Sequence, residues 1–161
     1  MKAGSTFRIL FLNPMWDLIE QIATQEGRGS AKELYLDLRT TCSIVKKLWD
    51  KLSRQNQLID GSIEIRVYQE ISQYAYHYVK DLPTGDIEML VGFYFAELLG
   101  WQSALFEVQN EGIQKSFEDH FAVLFRRARQ ILIYPSGGGG AQNFDNYFYQ
   151  QILTYLESKI K

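Results

Sequence analysis

The side chains able to perform catalysis or bind a metal are few and widely separated in this sequence. His77, His120 and Cys42 each occur alone, without a second histidine or cysteine at metal-binding spacing. A zinc site needs about four nitrogen or sulfur ligands, usually supplied in closely spaced pairs. Cys42 lies in a run of apolar residues at helical spacing, which is typical of a buried and unreactive thiol. We therefore predict no metal site, no cofactor and no cysteine nucleophile.

Two further patterns are compatible with chemistry but have simpler explanations. Neighbouring acids such as Glu118 and Asp119 point in different directions on a helix, so they do not form a catalytic pair. The glycine run 137–140 lacks the Lys-Ser/Thr pair that completes a phosphate-binding loop. It predicts a flexible loop over residues 135–142. No serine lies in a Gly-x-Ser-x-Gly elbow. The sequence therefore predicts a protein that is not an enzyme.

Basic residues form the one pattern with a specific chemical use. At about 100° per residue, the lysines and arginines of two predicted helices fall on the flanks and backs of the apolar stripes. Such basic faces can neutralise the phosphate groups of DNA or RNA. The predicted nucleic-acid-binding residues are Lys46, Lys47, Lys51, Arg54, Arg126, Arg127 and Arg129.

Several of these cations also have a structural explanation. Asp50 can pair with Arg54 one turn away on the same helix. Arg126, Arg127 and Arg129 fall in the last turns of a predicted helix, where positive charge favours the negative end of the helix dipole. A solvated surface is therefore the alternative for any single member of the set.

Helix start and stop signals divide the chain into six predicted helices. Asn13-Pro14 begins the first, and a capping box over Ser30–Glu33 begins the second, which reaches as far as Gln57. The later helices are predicted from Ser62 to the residues before Pro83, from Thr84 to the break at Asn110, from Ile113 to Leu132, and from about Phe144 onward.

The second helix carries the clearest apolar stripe. Its members recur mostly at steps of three and four and are Leu34, Leu38, Cys42, Val45, Leu48, Trp49 and Leu52. Phe7–Leu12 and Gln130–Tyr134 can instead be extended, but neither has a partner joined by a hairpin turn. We therefore predict an all-α fold, a compact bundle of five or six helices in one domain over 1–161, with 1–12 extended or loosely packed.

Composition and charge limit the classes of function. The 161 residues are 46% hydrophobic and 14% aromatic, enough for a sizeable core. The net charge of −2 excludes a global attraction to DNA or to an acidic membrane, so phosphate contacts require local basic patches. A single cysteine excludes an internal disulfide and fits a reducing compartment. No apolar run approaches the roughly 20 residues that cross a bilayer, so we predict a cytoplasmic protein without a membrane partner.

A helical bundle of this size with separated basic faces and no active site resembles the small helical subunit of CRISPR effector complexes of the Cascade type. The resemblance covers the whole chain as architecture and charge layout, without a diagnostic motif. It implies a non-catalytic structural subunit that packs against other subunits and against copies of itself. It also implies contact with the backbone of guide RNA or target DNA through the seven cations named above.

A different class of function fits the same sequence. The high aromatic content is also typical of a protein-binding surface. The alternative is therefore a helical adaptor or antitoxin-like inhibitor that binds protein and makes no contact with nucleic acid.

Overall fold

The chain folds as a mixture of helices and strands. The computed structural model describes residues 5–26, 28–55, 61–70, 74–80, 87–93, 104–134 and 142–161. Within these ranges the elements are β1 Ser5–Leu12, α1 Ile19–Gln25, α2 Ala31–Gln55, β2 Gly61–Tyr68, β3 Tyr74–Lys80, β4 Ile87–Phe93, β5 Leu105–Glu107, α3 Glu111–Arg127, β6 Arg129–Tyr134, β7 Asn143–Phe144 and α4 Asn146–Ile160. The prediction of an all-α bundle of five or six helices is therefore wrong.

The error lies in the middle of the chain, where the predicted third and fourth helices contain strands. β2 carries Ile63, Ile65 and Val67 at every second position, and all three are buried. This alternation places the β-branched side chains on one face of a strand. The segments Tyr74–Lys80 and Ile87–Phe93, also predicted helical, pair with each other as antiparallel strands.

Four strands form the main sheet, in the order β1-β2-β6-β7. β1 runs parallel to β2, and Ile9 lies opposite Ile65. β6 runs antiparallel to β2, with a register shift between Ile65 and Arg66, and β7 runs antiparallel to β6. The segments 7–12 and 130–134, for which an extended conformation was the alternative, lie in β1 and β6. A second, three-stranded antiparallel sheet has the order β3-β4-β5.

One face of the main sheet packs against α1, α2 and α4. The buried cluster joins Ile65 and Val67 of β2 to the apolar stripe of α2 and to Ile152 and Leu156 of α4. The predicted stripe of the second helix is confirmed: five of its seven members are buried, and Leu48 and Trp49 pack against the cluster as half-buried residues. α1 and α2 together connect the parallel strands β1 and β2, as such a pair requires a crossover.

The opposite face of β2 contacts α3. Arg66 lies between Ile65 and Val67 and therefore points away from the buried cluster. Its guanidinium lies 4.6 Å from the centroid of the Phe125 ring, near the end of α3. Phe125 is buried, but it does not belong to the cluster formed with α1, α2 and α4. The main sheet therefore separates α3 from the other three helices.

Two predicted helix boundaries differ from the structure. Asn13 accepts a hydrogen bond from the backbone N–H of Met15 through its side chain, but turns follow and α1 begins only at Ile19. α3 ends at Arg127, and the predicted continuation to Leu132 is strand β6. The turn at Ala128, with ψ near 146°, breaks the helix there.

The predictions of a glycine loop and of no membrane-spanning segment can be compared with the structure only within the described residues. Residues 135–141 of the predicted glycine loop lie outside them. None of the helices within them combines the length and the apolar character needed to cross a membrane.

Candidate anion-binding cleft

A cleft of about 570 Å³ lies where the parallel strands β1 and β2 end. In open, mostly parallel α/β sheets, ligands bind outside the carboxyl ends of the strands, and the parallel pair β1–β2 presents two such ends here. β6, which is antiparallel to β2, begins at the same edge. The cleft is lined by Asn13, Met15, Val67, Tyr68, Gln69, Glu70, Leu124, Arg127, Ala128, Arg129 and Phe148.

Arg127 is the last residue of α3 and borders the cleft, and its acidic partner among the described residues is loosely placed. Its Nη1 lies 3.9 Å from Oε1 of Glu70, which follows β2. This distance exceeds that of a hydrogen bond, so the two groups attract each other without a directed contact. The side chain of Arg127 is 73% exposed and that of Glu70 is 44% exposed. An external anion can therefore compete with Glu70 for this guanidinium.

Arg129, the first residue of β6, is held in a defined orientation. Its Nη2 donates a hydrogen bond to Oδ2 of Asp145 at 3.2 Å. Its guanidinium carbon lies 3.5 Å from the centroid of the Phe148 ring, so the cation is stacked on the aromatic face. Asp145 also caps α4 by accepting a hydrogen bond from the backbone N–H of Phe148. Since arginine has five N–H donors, the contact with Asp145 leaves donors for a ligand.

Arg66 contacts the C-terminal end of α3, two residues before Arg127. Its Nη1 donates to the backbone carbonyl oxygen of Phe125 at 2.9 Å, and its Nη2 lies 2.5 Å from Oε1 of Glu64. A cation at this point interacts favourably with the negative end of the helix dipole. Arg8 of β1 lies near the same aromatic ring, 5.7 Å from the Phe125 centroid. Phe125 therefore lies near two guanidinium groups of the sheet.

Arg126 does not share the cleft with its neighbours. Its side chain is exposed, and its Nε donates to the carbonyl oxygen of Ala122 in the same helix at 3.2 Å. One of the three cations predicted near the end of α3 therefore lies outside the cleft lining. The other two, Arg127 and Arg129, are brought together by the junction of α3 and β6.

The predicted basic residues of α2 lie on the other side of the main sheet. Lys46 forms an ion pair with Asp50, and its ammonium group lies 5.6 Å from the centroid of the Phe144 ring. Lys47, Lys51 and Arg54 are exposed to solvent. The structure therefore separates the seven predicted cations into two groups, and only Arg127 and Arg129 border the cleft.

The lone cysteine and histidines stay apart in the described part of the chain. Cys42 is completely buried, as predicted for an unreactive thiol, and this burial raises its pKa to about 11. His120 lies on an exposed part of α3, and His77 lies in β3 at a position whose side chain is outside the description. Among the described residues, no three acidic, histidine or cysteine side chains are grouped as a metal site would require.

Sequence reasoning missed several residues that shape the cleft. Asn13 was interpreted only as a helix cap, although it is buried at the end of β1 and lines the cleft. Glu70 and Arg66 were not singled out. The alternation Ile63-Glu64-Ile65-Arg66-Val67 was the available signal, because it predicts a strand with charged side chains on one face. The position of Glu70 beside Arg127 had no local signal, since it depends on the packing of α3 against β2.

Comparison with known proteins identified no homologue. No protein-family model, curated protein or solved structure matches this chain. The resemblance to the small helical subunit of Cascade-type complexes depended on a wholly helical architecture, and the mixed fold removes that basis.

Proposed function

We propose that this protein binds the phosphate groups of DNA or RNA at the cleft and acts as a non-catalytic part of a larger assembly. The observation that supports this proposal best is the pair Arg127 and Arg129 at the edge where β1 and β2 end. The planar guanidinium group presents several donors in a fixed geometry that matches phosphate oxygens.

The charge distribution supports a local phosphate site on a protein whose net charge is −2. The contact of Arg127 with Glu70 is loose, and the stacked Arg129 is pre-oriented by Phe148 and Asp145. Pre-orientation lowers the entropic cost of ordering the side chain when a ligand binds. Arg126 is a further exposed cation near the end of α3, outside the cleft lining. The exposed cations of α2 supply a second, separate surface for the backbone of a long nucleic acid.

A protein-binding adaptor without nucleic-acid contact is the second candidate, and the edge of the main sheet favours it. β1 pairs with β2 on one side and is the last strand at that end of the sheet among the described residues. Its Phe7 and Ile9 are 45% and 41% exposed. An exposed apolar edge strand can receive a strand from another chain.

Binding measurements with unrelated DNA and RNA sequences distinguish the two functions. Single-stranded and double-stranded oligonucleotides are titrated by fluorescence anisotropy at about 50 and 200 mM salt. If phosphate groups are neutralised, affinity falls steeply between the two concentrations. Arg127→Glu should weaken binding of every sequence. Lys115→Glu at the other end of α3 is the control, since Asp119 already holds that ammonium group at 2.8 Å. Failure of all oligonucleotides to bind at the lower salt would overturn the proposal and favour the adaptor.

A further inference from the structure

We infer that the cleft binds a terminal phosphomonoester of a nucleotide, in contrast to an internal phosphodiester. This inference rests on the phosphate-binding function proposed above and names the ligand of the same site. Two sources present this group, the phosphorylated end of a strand and a free mononucleotide. The size of the cleft and the number of its cations support this ligand, and Glu70 supplies a residue-level test of where it binds.

The size of the cleft fits one small ligand. Sites for small molecules occupy about 300–1,000 Å³, and this cleft measures about 570 Å³. The cleft is too small to enclose a duplex. Beyond the arginines the cleft is lined partly by apolar side chains, among them Met15, Val67 and Leu124. The end of a strand can enter the cleft through a single opening. An internal phosphate has chain on both sides, and both parts of the chain must leave the cleft.

The number of cations fits the charge of a terminal phosphate. A phosphomonoester carries about −1.5 to −2 charges near neutral pH and has three strongly accepting oxygens. Arg127 and Arg129 come from α3 and β6 and both border the cleft, so two guanidinium groups are available to a ligand with three accepting oxygens. An internal phosphodiester has a single charge and two free oxygens. Two guanidinium groups therefore favour the terminal group over the internal one.

Glu70 is the acidic side chain among the cleft residues and competes with the ligand. Its carboxylate lies 3.9 Å from Nη1 of Arg127, on the same group that would bind phosphate. When a phosphate binds, repulsion by Glu70 opposes it. Removing the negative charge in Glu70→Gln should therefore tighten binding by about two- to fivefold, the range expected for a partly exposed charge pair.

The test compares short single-stranded oligonucleotides that differ only in whether one terminus carries a phosphate or a hydroxyl. We expect the phosphorylated strand to bind about tenfold more tightly, since it gains charge-assisted hydrogen bonds. Arg127→Gln and Arg129→Gln should abolish this preference, and Lys115→Gln should leave it unchanged. Adenosine monophosphate is the competitor that identifies a free mononucleotide as ligand: it should displace the phosphorylated strand, whereas adenosine should not.

The outcomes separate this inference from the general function. Equal affinity for phosphorylated and unphosphorylated strands overturns the terminal-phosphate site and leaves phosphate-backbone binding intact. Binding of adenosine monophosphate without binding of any oligonucleotide supports the site and overturns the general function. Loss of binding in the arginine variants could also result from misfolding. Glu70→Gln separates the two explanations, because a gain in affinity requires a folded cleft. Unchanged or weaker binding by Glu70→Gln contradicts the role given to that residue.

Discussion

Replacement of Arg66 by methionine should destabilise the protein and disturb the cleft together. Arg66 is 23% exposed, donates to the carbonyl oxygen of Phe125, pairs with Glu64 and lies over the Phe125 ring. Methionine retains much of the length and apolar area of the side chain, but it removes the charge and the donors. The substitution therefore tests the polar contacts separately from packing.

The magnitude is estimated from the interactions of Arg66 with α3. A hydrogen bond from a charged donor contributes about 1.5–3 kcal/mol, the favourable position at a helix C-terminus about 0.3–1 kcal/mol, and the cation–π contact about 0.5–1 kcal/mol. These contributions overlap, and Arg66 is partly solvated. We therefore expect the free energy of unfolding to fall by about 2–3 kcal/mol. For a chain of this size the midpoint of thermal unfolding should fall by about 4–12 °C.

Urea unfolding followed by circular dichroism measures this loss as a shift of the midpoint at an unchanged m-value. Arg126→Met is the matched control, since that guanidinium is exposed and donates only to its own helix among the described residues. It should cost about 0.5 kcal/mol or less. Binding of oligonucleotides to folded Arg66→Met should also weaken, because Arg127 follows the anchored Phe125 carbonyl by two residues. A loss of stability no larger than that of Arg126→Met would refute the role of Arg66 as the anchor of α3.

Two further predictions concern the buried thiol and the cap of α4. Because burial raises the pKa of Cys42 to about 11, the thiol should resist alkylation at about pH 8 until urea unfolds the chain. The folded state favours the protonated thiol, so this part of the stability is complete below the unfolded pKa of about 8.5 and is lost as the pH rises towards the folded pKa. Rapid labelling of the native protein would contradict the burial. Asp145→Ala should lower the free energy of unfolding by about 1 kcal/mol, whereas Asp145→Asn retains the capping oxygen and should cost less. Equal losses measured in urea would assign the effect to the Arg129 ion pair and not to the cap.

The helices were predictable where local signals and long-range packing agree. α2 begins directly after Ser30, and the apolar stripe read from the sequence is the face that packs in the core. The break before α3 was also visible, and Asn110 caps that helix by accepting from the backbone N–H of Ile113. These features depend on residues within one or two helical turns, so the local sequence is sufficient to specify them.

The strands in the middle of the chain were predicted as helices because their apolar residues satisfy two periods at once. Val67, Ile71, Tyr74 and Tyr78 follow helical steps, although Ile63, Ile65 and Val67 alternate as in a strand. Local pattern does not choose between these interpretations. The choice is made by pairing: β2 joins β1 on one side and β6 on the other, and both partners are distant in sequence.

The residue types of the candidate site could be predicted from the sequence, but the position of the site in the fold could not. The arginines near the end of α3 stood out by charge, yet only the turn at Ala128 and the start of β6 bring Arg127 and Arg129 to one cleft while Arg126 points elsewhere. Glu70 and Asn13 enter the cleft because β1 and β2 run parallel and end at the same edge.

The amino-acid order alone shows that the histidines and the cysteine are isolated from one another along the chain, that the helix after Ser30 has one apolar face, and that three arginines lie within residues 126–129. Long-range packing places the middle of the chain in sheets and brings two of those arginines to one cleft. The physical reason is that helix signals act over a few residues, whereas strand pairing and the shape of a cleft arise from contacts between segments far apart along the chain.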